Sequence, residues 1–278
     1  MKVLKVFALL ILLIALGVMG YSGYQLFKTE QIYQEGNSNY EDLRDQVRVT
    51  EAPVEEITTT IRHDRTAETG RTDNIYETEG LDKADEKPQI YIPGIGINFD
   101  VLKSISKDAA AWLYCPDTLI DYPVMKAKDY SYYLTHLPDG KYNANGSLFI
   151  DYNNASDFSD SLTVIYGHNM KSKAMFGSLT EYKMQGYYEK HPYMYLFTEQ
   201  KSYRIELMYG CVTDAGQWRE QGFMFAENIG KFMAYAAQNT TFASDVKYIE
   251  GDRIVVLSTC SYEFNNARYV VIGILREG

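Results

Sequence analysis

From residue 111 onward the chain breaks into short apolar runs, too brief for helices and punctuated too closely for anything but strands. Residues 111–114, 120–125, 146–150, 162–166, 194–197 and 203–212 are each rich in β-branched or aromatic side chains, with turn residues between them. Many short strands at such spacing predict a mostly β barrel or sandwich. The two strongest runs come last. Ile254-Val255-Val256-Leu257-Ser258-Thr259-Cys260 and Arg268-Tyr269-Val270-Val271-Ile272-Gly273-Ile274-Leu275 flank a polar stretch with the turn signal Asn265-Asn266. They predict a strand pair in which Cys260 ends one strand and Arg268 begins the next. A short helix is expected over 102–110 and a clearer one over 229–237, just before the last strand pair, with Phe232, Met233 and Tyr235 as its apolar members.

The N-terminus obeys a different constraint. Residues 6–23 are 18 positions without a charge, preceded by Lys2 and Lys5. At about 1.5 Å per residue such a helix is roughly 27 Å long, enough to span a bilayer with help from Tyr24, Leu26 and Phe27. The two lysines hold its start inside, which places all that follows outside. Residues 1–27 are therefore read as an uncleaved, single-pass membrane anchor in preference to a signal peptide cut near residues 15–17. Residues 28–87 read as a helical and flexible spacer. They hold 16 acidic and 8 basic residues, most of the chain's net charge of −10. Ile32, Tyr33, Tyr40, Leu43 and Val47 predict a helix over 29–49, broken near Gly36-Asn37-Ser38; residues 51–87, rich in Thr, Asp and Glu, predict a flexible linker. The folded domain is expected over 88–278. Its charge excludes nucleic acid as a partner.

Three cysteines, Cys115, Cys211 and Cys260, make no disulfide framework, and no Cys-x-x-Cys or His-Glu-x-x-His spacing points to a metal. Neither a metal nor a cofactor is expected. Cys115 and Cys211 sit in apolar surroundings and are read as buried free thiols. Cys260 is different, because paired strands lie about 4.8 Å apart and would set its thiol beside the Arg268 guanidinium. A fixed cation there favours thiolate and can hold an oxyanion. Acyl transfer also needs a proton carrier. His168 follows the apolar run 162–166 and Gly167, where strand ends feed loops. His136 and His191 compete with it, and His63 lies in the linker. Ser258 shares a face with Cys260 by strand alternation, and Ser258 and Thr259 are candidates for substrate contact. Each residue also has an ordinary reading: a buried strand cysteine, a hydrogen-bonded structural histidine, an arginine paired with Glu263, a hydroxyl satisfied by the next strand.

Val256-Leu257-Ser258-Thr259-Cys260 resembles the Thr-Leu-x-Thr-Cys strand end of sortases, with Val256 in place of the first Thr. Tyr262-Glu263-Phe264, Ile120-Asp121-Tyr122-Pro123-Val124, Tyr132-Tyr133-Leu134-Thr135-His136 and Ile165-Tyr166-Gly167-His168-Asn169-Met170 are similar to the class B branch. The resemblance spans about 111–275. It implies a closed β-barrel with peripheral helices and a membrane-anchored cysteine transpeptidase. In the implied cycle Cys260 attacks the carbonyl of a Thr in a C-terminal sorting-signal peptide. His168 protonates the leaving amine and Arg268 holds the oxyanion. An amine from cell-wall precursor or pilin then takes the acyl group. A papain-like peptidase would place Cys before His in the chain, the reverse of the order here. A class C sortase would carry an Asp-Pro lid, and no Pro here follows an Asp. An anchored peptide-binding β-domain without chemistry is the third alternative.

Overall fold

The computed structural model describes residues 2–50 and 90–278. Strands β3 (Ala109–Tyr114), β4 (Asp121–Lys126), β5 (Leu148–Ile150), β6 (Leu162–Tyr166), β7 (Tyr193–Phe197), β8 (Ser202–Asp214), β9 (Ile254–Cys260) and β10 (Ala267–Glu277) close into a barrel in the order β10-β8-β7-β3-β4-β5-β6-β9. The chain is thus mostly β, with a closed barrel and peripheral helices. Two of the neighbour pairs, β4–β5 and β6–β9, are parallel and the rest antiparallel. Strands β9 and β10 are apolar over 254–257 and 269–275 because both their faces are covered there. Val255, Leu257, Tyr269 and Val271 join one core cluster. Ile254, Val256, Val270 and Ile272 join a second, beneath helix α5 (Ile229–Asn239), which contributes Phe232 and Met233.

One expected helix moves. The segment read as helical over 102–110 forms α2 over Phe99–Ile105, and Ala109 already belongs to β3. The Asn98 side chain accepts the Val101 N–H at 3.0 Å and starts the helix three residues early. Extended backbone at Ser106 ends it. Two further short helices, α3 (Gln185–Lys190) and α4 (Ala215–Glu220), carry too little periodicity to be read from sequence.

The N-terminal region departs further from expectation. A single helix, α1, runs over Lys2–Val47 without a break at Gly36-Asn37-Ser38. Gly36 is a point of close approach, since a Cβ there would lie 2.5 Å from Asn145 Nδ2 and 2.6 Å from Asn143 Oδ1. The asparagines use that proximity: Asn143 Nδ2 donates to the Ile32 carbonyl at 2.8 Å, and Asn145 Nδ2 donates to Asn37 Oδ1 at 3.0 Å. Tyr40, Leu43 and Val47 are buried in the barrel's core cluster, and the Tyr40 hydroxyl donates to the Gly146 carbonyl at 2.6 Å. Burial of such side chains stabilises by about 1.5–3 kcal/mol each. Arg48 pairs with Asp121 at 2.7 Å. Residues 32–48, within the segment read as a spacer, therefore dock on the barrel, a point that the sequence leaves open.

Helix α1 leads into β1 (Arg48–Thr50), which pairs antiparallel with β2 (Ile95–Ile97), Thr50 opposite Ile95. The chain between them leaves and returns at neighbouring strands. The linker expected over 51–87 and His63 within it lie outside the described residues. Along α1, the apolar stretch is long and apolar enough to cross a membrane by length and composition.

Truncating the docked face tests its weight. Leu43→Ala is expected to cost about 2–5 kcal/mol, read by urea unfolding of residues 28–278. A loss below about 1 kcal/mol would mean that the helix only rests on the barrel surface.

Candidate active site

Three neighbouring strands meet at one end of the barrel. Strand β6 ends at Tyr166, opposite Ser258 of the parallel strand β9. Strand β9 ends two residues later at Cys260, directly opposite Arg268 at the start of β10. The turn between them uses Asn266 at φ 63, a left-handed conformation that Asn tolerates better than most residues. Cys260, His168, Arg268, Ser258 and Thr259 all line a single cleft of about 260 Å³. Its remaining wall includes Leu134, Phe149, Tyr166, Trp218 and Met224, and Arg219 reaches it from α4.

Backbone contacts fix the loop that carries His168. Gly167 N donates to the Ser258 carbonyl at 3.1 Å, and Asn169 Nδ2 donates to the Cys260 carbonyl at 2.8 Å. These two bonds flank His168 and tie its loop to the strand that ends in Cys260. At Gly167 a side chain cannot fit, because a Cβ would lie 2.4 Å from Leu148 Cδ2 and 2.7 Å from Phe176 Cδ2. The His168 ring has its own partner: Nε2 lies 2.6 Å from the Leu134 carbonyl oxygen. A carbonyl can only accept, so this contact places the proton on Nε2 and leaves Nδ1 as the other functional nitrogen. The competing histidines do not line this cleft: His136 stacks on Tyr132 with ring centres 4.0 Å apart, and His191 packs on Tyr187 at 4.5 Å.

The three cysteines separate by environment. Burial pushes the Cys115 thiol up to about 11 and the Cys211 thiol up to about 12, so both stay protonated near neutral pH. Cys260 is only partly buried. Glu263, the natural rival for Arg268, is engaged elsewhere. Against the cost of its desolvation, an ion pair with Lys183 and the Ser261 hydroxyl hold its carboxyl below the usual range. Lys183 Nζ also donates to Ser261 Oγ at 2.9 Å, which braces the turn just past Cys260. Arg268 Nη1 donates to the Ala267 carbonyl at 3.0 Å, and no ion pair engages Arg268 among the described residues.

Ser258 and Thr259 differ. Alternation sets Ser258 on the Cys260 face, toward α4. The Thr259 hydroxyl is already committed, donating to the buried Gly167 carbonyl at 2.8 Å. On the opposite wall the hydroxyls of Tyr130 and Tyr166 both donate to Asp151 Oδ2, at 3.0 and 2.8 Å. Desolvation and then the Asp151 charge raise both phenols, which remain neutral donors. The role of Leu134, and the cleft residues Trp218, Arg219 and Met224, were not legible in the sequence. Leu134 acts through a backbone carbonyl, for which no residue type is diagnostic, and Trp218, Arg219 and Met224 belong to no motif. No carboxylate lines the cleft among the described residues, although the chain's net charge is −10.

A partly exposed thiol, an imidazole and a guanidinium without an ion pair among the described residues line one cleft, the set of groups that acyl transfer requires. A sortase-domain profile matches residues 113–276, more than half of the sequence, and the chain belongs to the sortase family. Its class is B. The sortase B of Listeria monocytogenes is 35% identical over 176 residues, 62% of this chain and 71% of the relative. That of Staphylococcus aureus is 28% identical over 177 residues, 63% and 72% of the two chains. The crystal structure of Clostridium perfringens sortase B superposes with a TM-score of 0.60 at 30% identity, covering 64% of this chain and 99% of that one. A Staphylococcus aureus sortase B–substrate complex superposes at 0.59 and 27% identity, covering 65% and 85%.

Two outcomes follow from this geometry. Iodoacetamide near neutral pH should label Cys260 in the folded protein and spare Cys115 and Cys211, read by peptide mapping; labelling of either buried thiol at a comparable rate would contradict the assigned environments. Thr259→Val removes a buried hydrogen bond and should cost about 1–3 kcal/mol of stability with KM unchanged. A raised KM at unchanged stability would instead make Thr259 a substrate contact.

Proposed function

We propose that the chain is a membrane-anchored cysteine transpeptidase that cleaves a C-terminal sorting-signal peptide after Thr and joins the acyl product to an amine. The observation that carries this reading is the cross-strand pairing of Cys260 with Arg268, at the mouth of a cleft that also holds His168. The Cys260 thiolate attacks the Thr carbonyl carbon. A C–S bond forms, and the oxygen takes negative charge beside the Arg268 guanidinium. As the C–N bond breaks, His168 Nδ1 gives the proton it took from the Cys260 thiol to the leaving amine, while Nε2–H stays on the Leu134 carbonyl, and a thioacyl enzyme remains. An incoming amine then attacks the thioester. His168 accepts its proton, the C–S bond breaks, and Cys260 is regenerated.

The identity of each partner rests on the same proposal. The first substrate is the sorting signal of a surface protein; the second is an amine of cell-wall precursor or of a pilin. Ser258, on the Cys260 face, contacts the peptide. A Streptococcus pyogenes class B sortase involved in pilus biogenesis superposes at 0.58 with 28% identity, and a sortase B complexed with triglycine superposes at 0.58 with 26%. Within the proposal residues 1–27 form a single-pass anchor, with the catalytic domain outside the cell. Residues 32–48 belong to the catalytic unit through their docking, and the boundary of that unit at residue 88 falls among residues that the structure does not describe.

Kinetics with a sorting-signal peptide library and an amine acceptor test the roles. Cys260→Ala should abolish both cleavage and transfer. Arg268→Ala should lower kcat/KM by about 10²–10³, the usual effect of losing one oxyanion donor. Arg268→Lys should not restore it, because an ammonium lacks the planar fork. Full activity of Arg268→Lys would reduce the guanidinium to a plain positive charge. Transfer surviving Cys260→Ala would refute the covalent route.

A further inference from the structure

We propose that the catalytic domain sits directly on the outer membrane surface, contacting the headgroup layer through an exposed aromatic surface formed by Tyr132, His136 and Tyr142 beside Lys141. The inference rests on the anchor reading of residues 1–27 and adds to it where, and by which face, the domain meets the bilayer.

Distance along one rod sets the height of the barrel above the anchor. Helix α1 is continuous from the apolar stretch into the docked segment. The continuous apolar stretch ends at Phe27, and the first charge after it is Lys28. The barrel's first tether to the helix is at Ile32, whose carbonyl accepts from Asn143 Nδ2 at 2.8 Å. Five residues at about 1.5 Å each put Asn143 roughly 7.5 Å beyond Phe27 along the helix axis. The headgroup region of one leaflet is about 5–7 Å deep. Asn143 and its neighbours therefore stand at the outer edge of the headgroup layer, within reach of a tyrosine side chain.

The described contacts hold the domain at that distance. The helix is held from Ile32 to Arg48 by Asn143, Asn145, the Tyr40 hydroxyl and Asp121. The chain from Thr50 to Ile95 adds no separation, since its two ends are paired on adjacent strands.

The surface next to Asn143 has the chemistry of a membrane boundary. Tyr142, next to Asn143, is 73% exposed and Tyr132 is 41% exposed. Tyr132 and Tyr142 both pack on the His136 ring, at 4.0 and 5.9 Å between ring centres, so they form one patch. An aromatic ring with a polar tip is the side chain that concentrates at a membrane–water boundary. Lys141 is paired with Asp139 at 2.9 Å, and Asp139 accepts from Asn39 Nδ2 at 3.2 Å, roughly 18 Å beyond Phe27 along the helix. That pair stands further out, so the attraction comes from the tyrosines and should not require anionic lipid. The same loop supplies the Leu134 carbonyl that holds His168. The loop that orients the imidazole is thus the one lying against the membrane, where a substrate with its own membrane segment would present its cleavage site.

Quenching in vesicles tests this with the full chain. The protein is reconstituted into phosphatidylcholine vesicles that contain lipid with a nitroxide on the headgroup. Single tryptophans are introduced as Phe27→Trp, Tyr142→Trp and Val49→Trp, and the emission of the buried Trp112 and Trp218 is subtracted using the parent protein. Val49 is 49% exposed and lies 22 residues beyond Phe27, just past the end of the same helix. The proposal expects Phe27→Trp and Tyr142→Trp to lose most of their added emission and Val49→Trp to lose little. If Phe27→Trp is quenched but Tyr142→Trp no more than Val49→Trp, the membrane contact is refuted and the anchor survives. Equal quenching at all three would mean that the domain lies flat on the bilayer, which also overturns the proposed face. If Phe27→Trp is not quenched, the anchor reading falls and the surface falls with it.

Discussion

The registration of three strands, β6 with β9 and β9 with β10, is what the rest of the structure serves. Tyr166 stands opposite Ser258, and Cys260 stands opposite Arg268. A slip of one residue in either pair would send every side chain to the other face. Such a slip would put Ile254, Val256, Val270 and Ile272 in the wrong cluster, so burial on both faces locks the register. The site thus inherits its precision from apolar packing a few residues away. The polar residues at the strand ends need only follow.

Around that frame the chain spends hydrogen bonds on holding loops. Gly167 N, Asn169 Nδ2 and the Thr259 hydroxyl each tie the His168 loop to β9. Lys183, Ser261 and Glu263 brace the turn on the other side of Cys260. Because Glu263 is held by Lys183, Arg268 is spared a local carboxylate. An arginine neutralised within its own site would offer far less to a developing oxyanion.

Much of this was legible in the sequence, and the reason differs from part to part. Short β-branched runs reported the strands of the barrel closely, β6 at its observed bounds and β9 as predicted. Asn265-Asn266 marked the turn. Cys260 and Arg268 could be paired because one strand pair joins them locally. The helix was misjudged at Gly36, because a glycine in a helix signals a break unless its partner is known, and here the partners are Asn143 and Asn145, over a hundred residues away. The docking of α1 and the Leu134 carbonyl share that difficulty. Both depend on long-range contact, and one of them uses an atom that every residue carries.

A covalent bond between Cys260 and the substrate is the step on which the proposed cycle rests. It is tested most directly by intact-mass spectrometry of residues 28–278 mixed with sorting-signal-like peptides and no acceptor amine. The account predicts a mass increase equal to the peptide cut after Thr, mapped to Cys260 and lost in Cys260→Ala. A peptide cut without any adduct on Cys260, or an adduct that persists in Cys260→Ala, would contradict it.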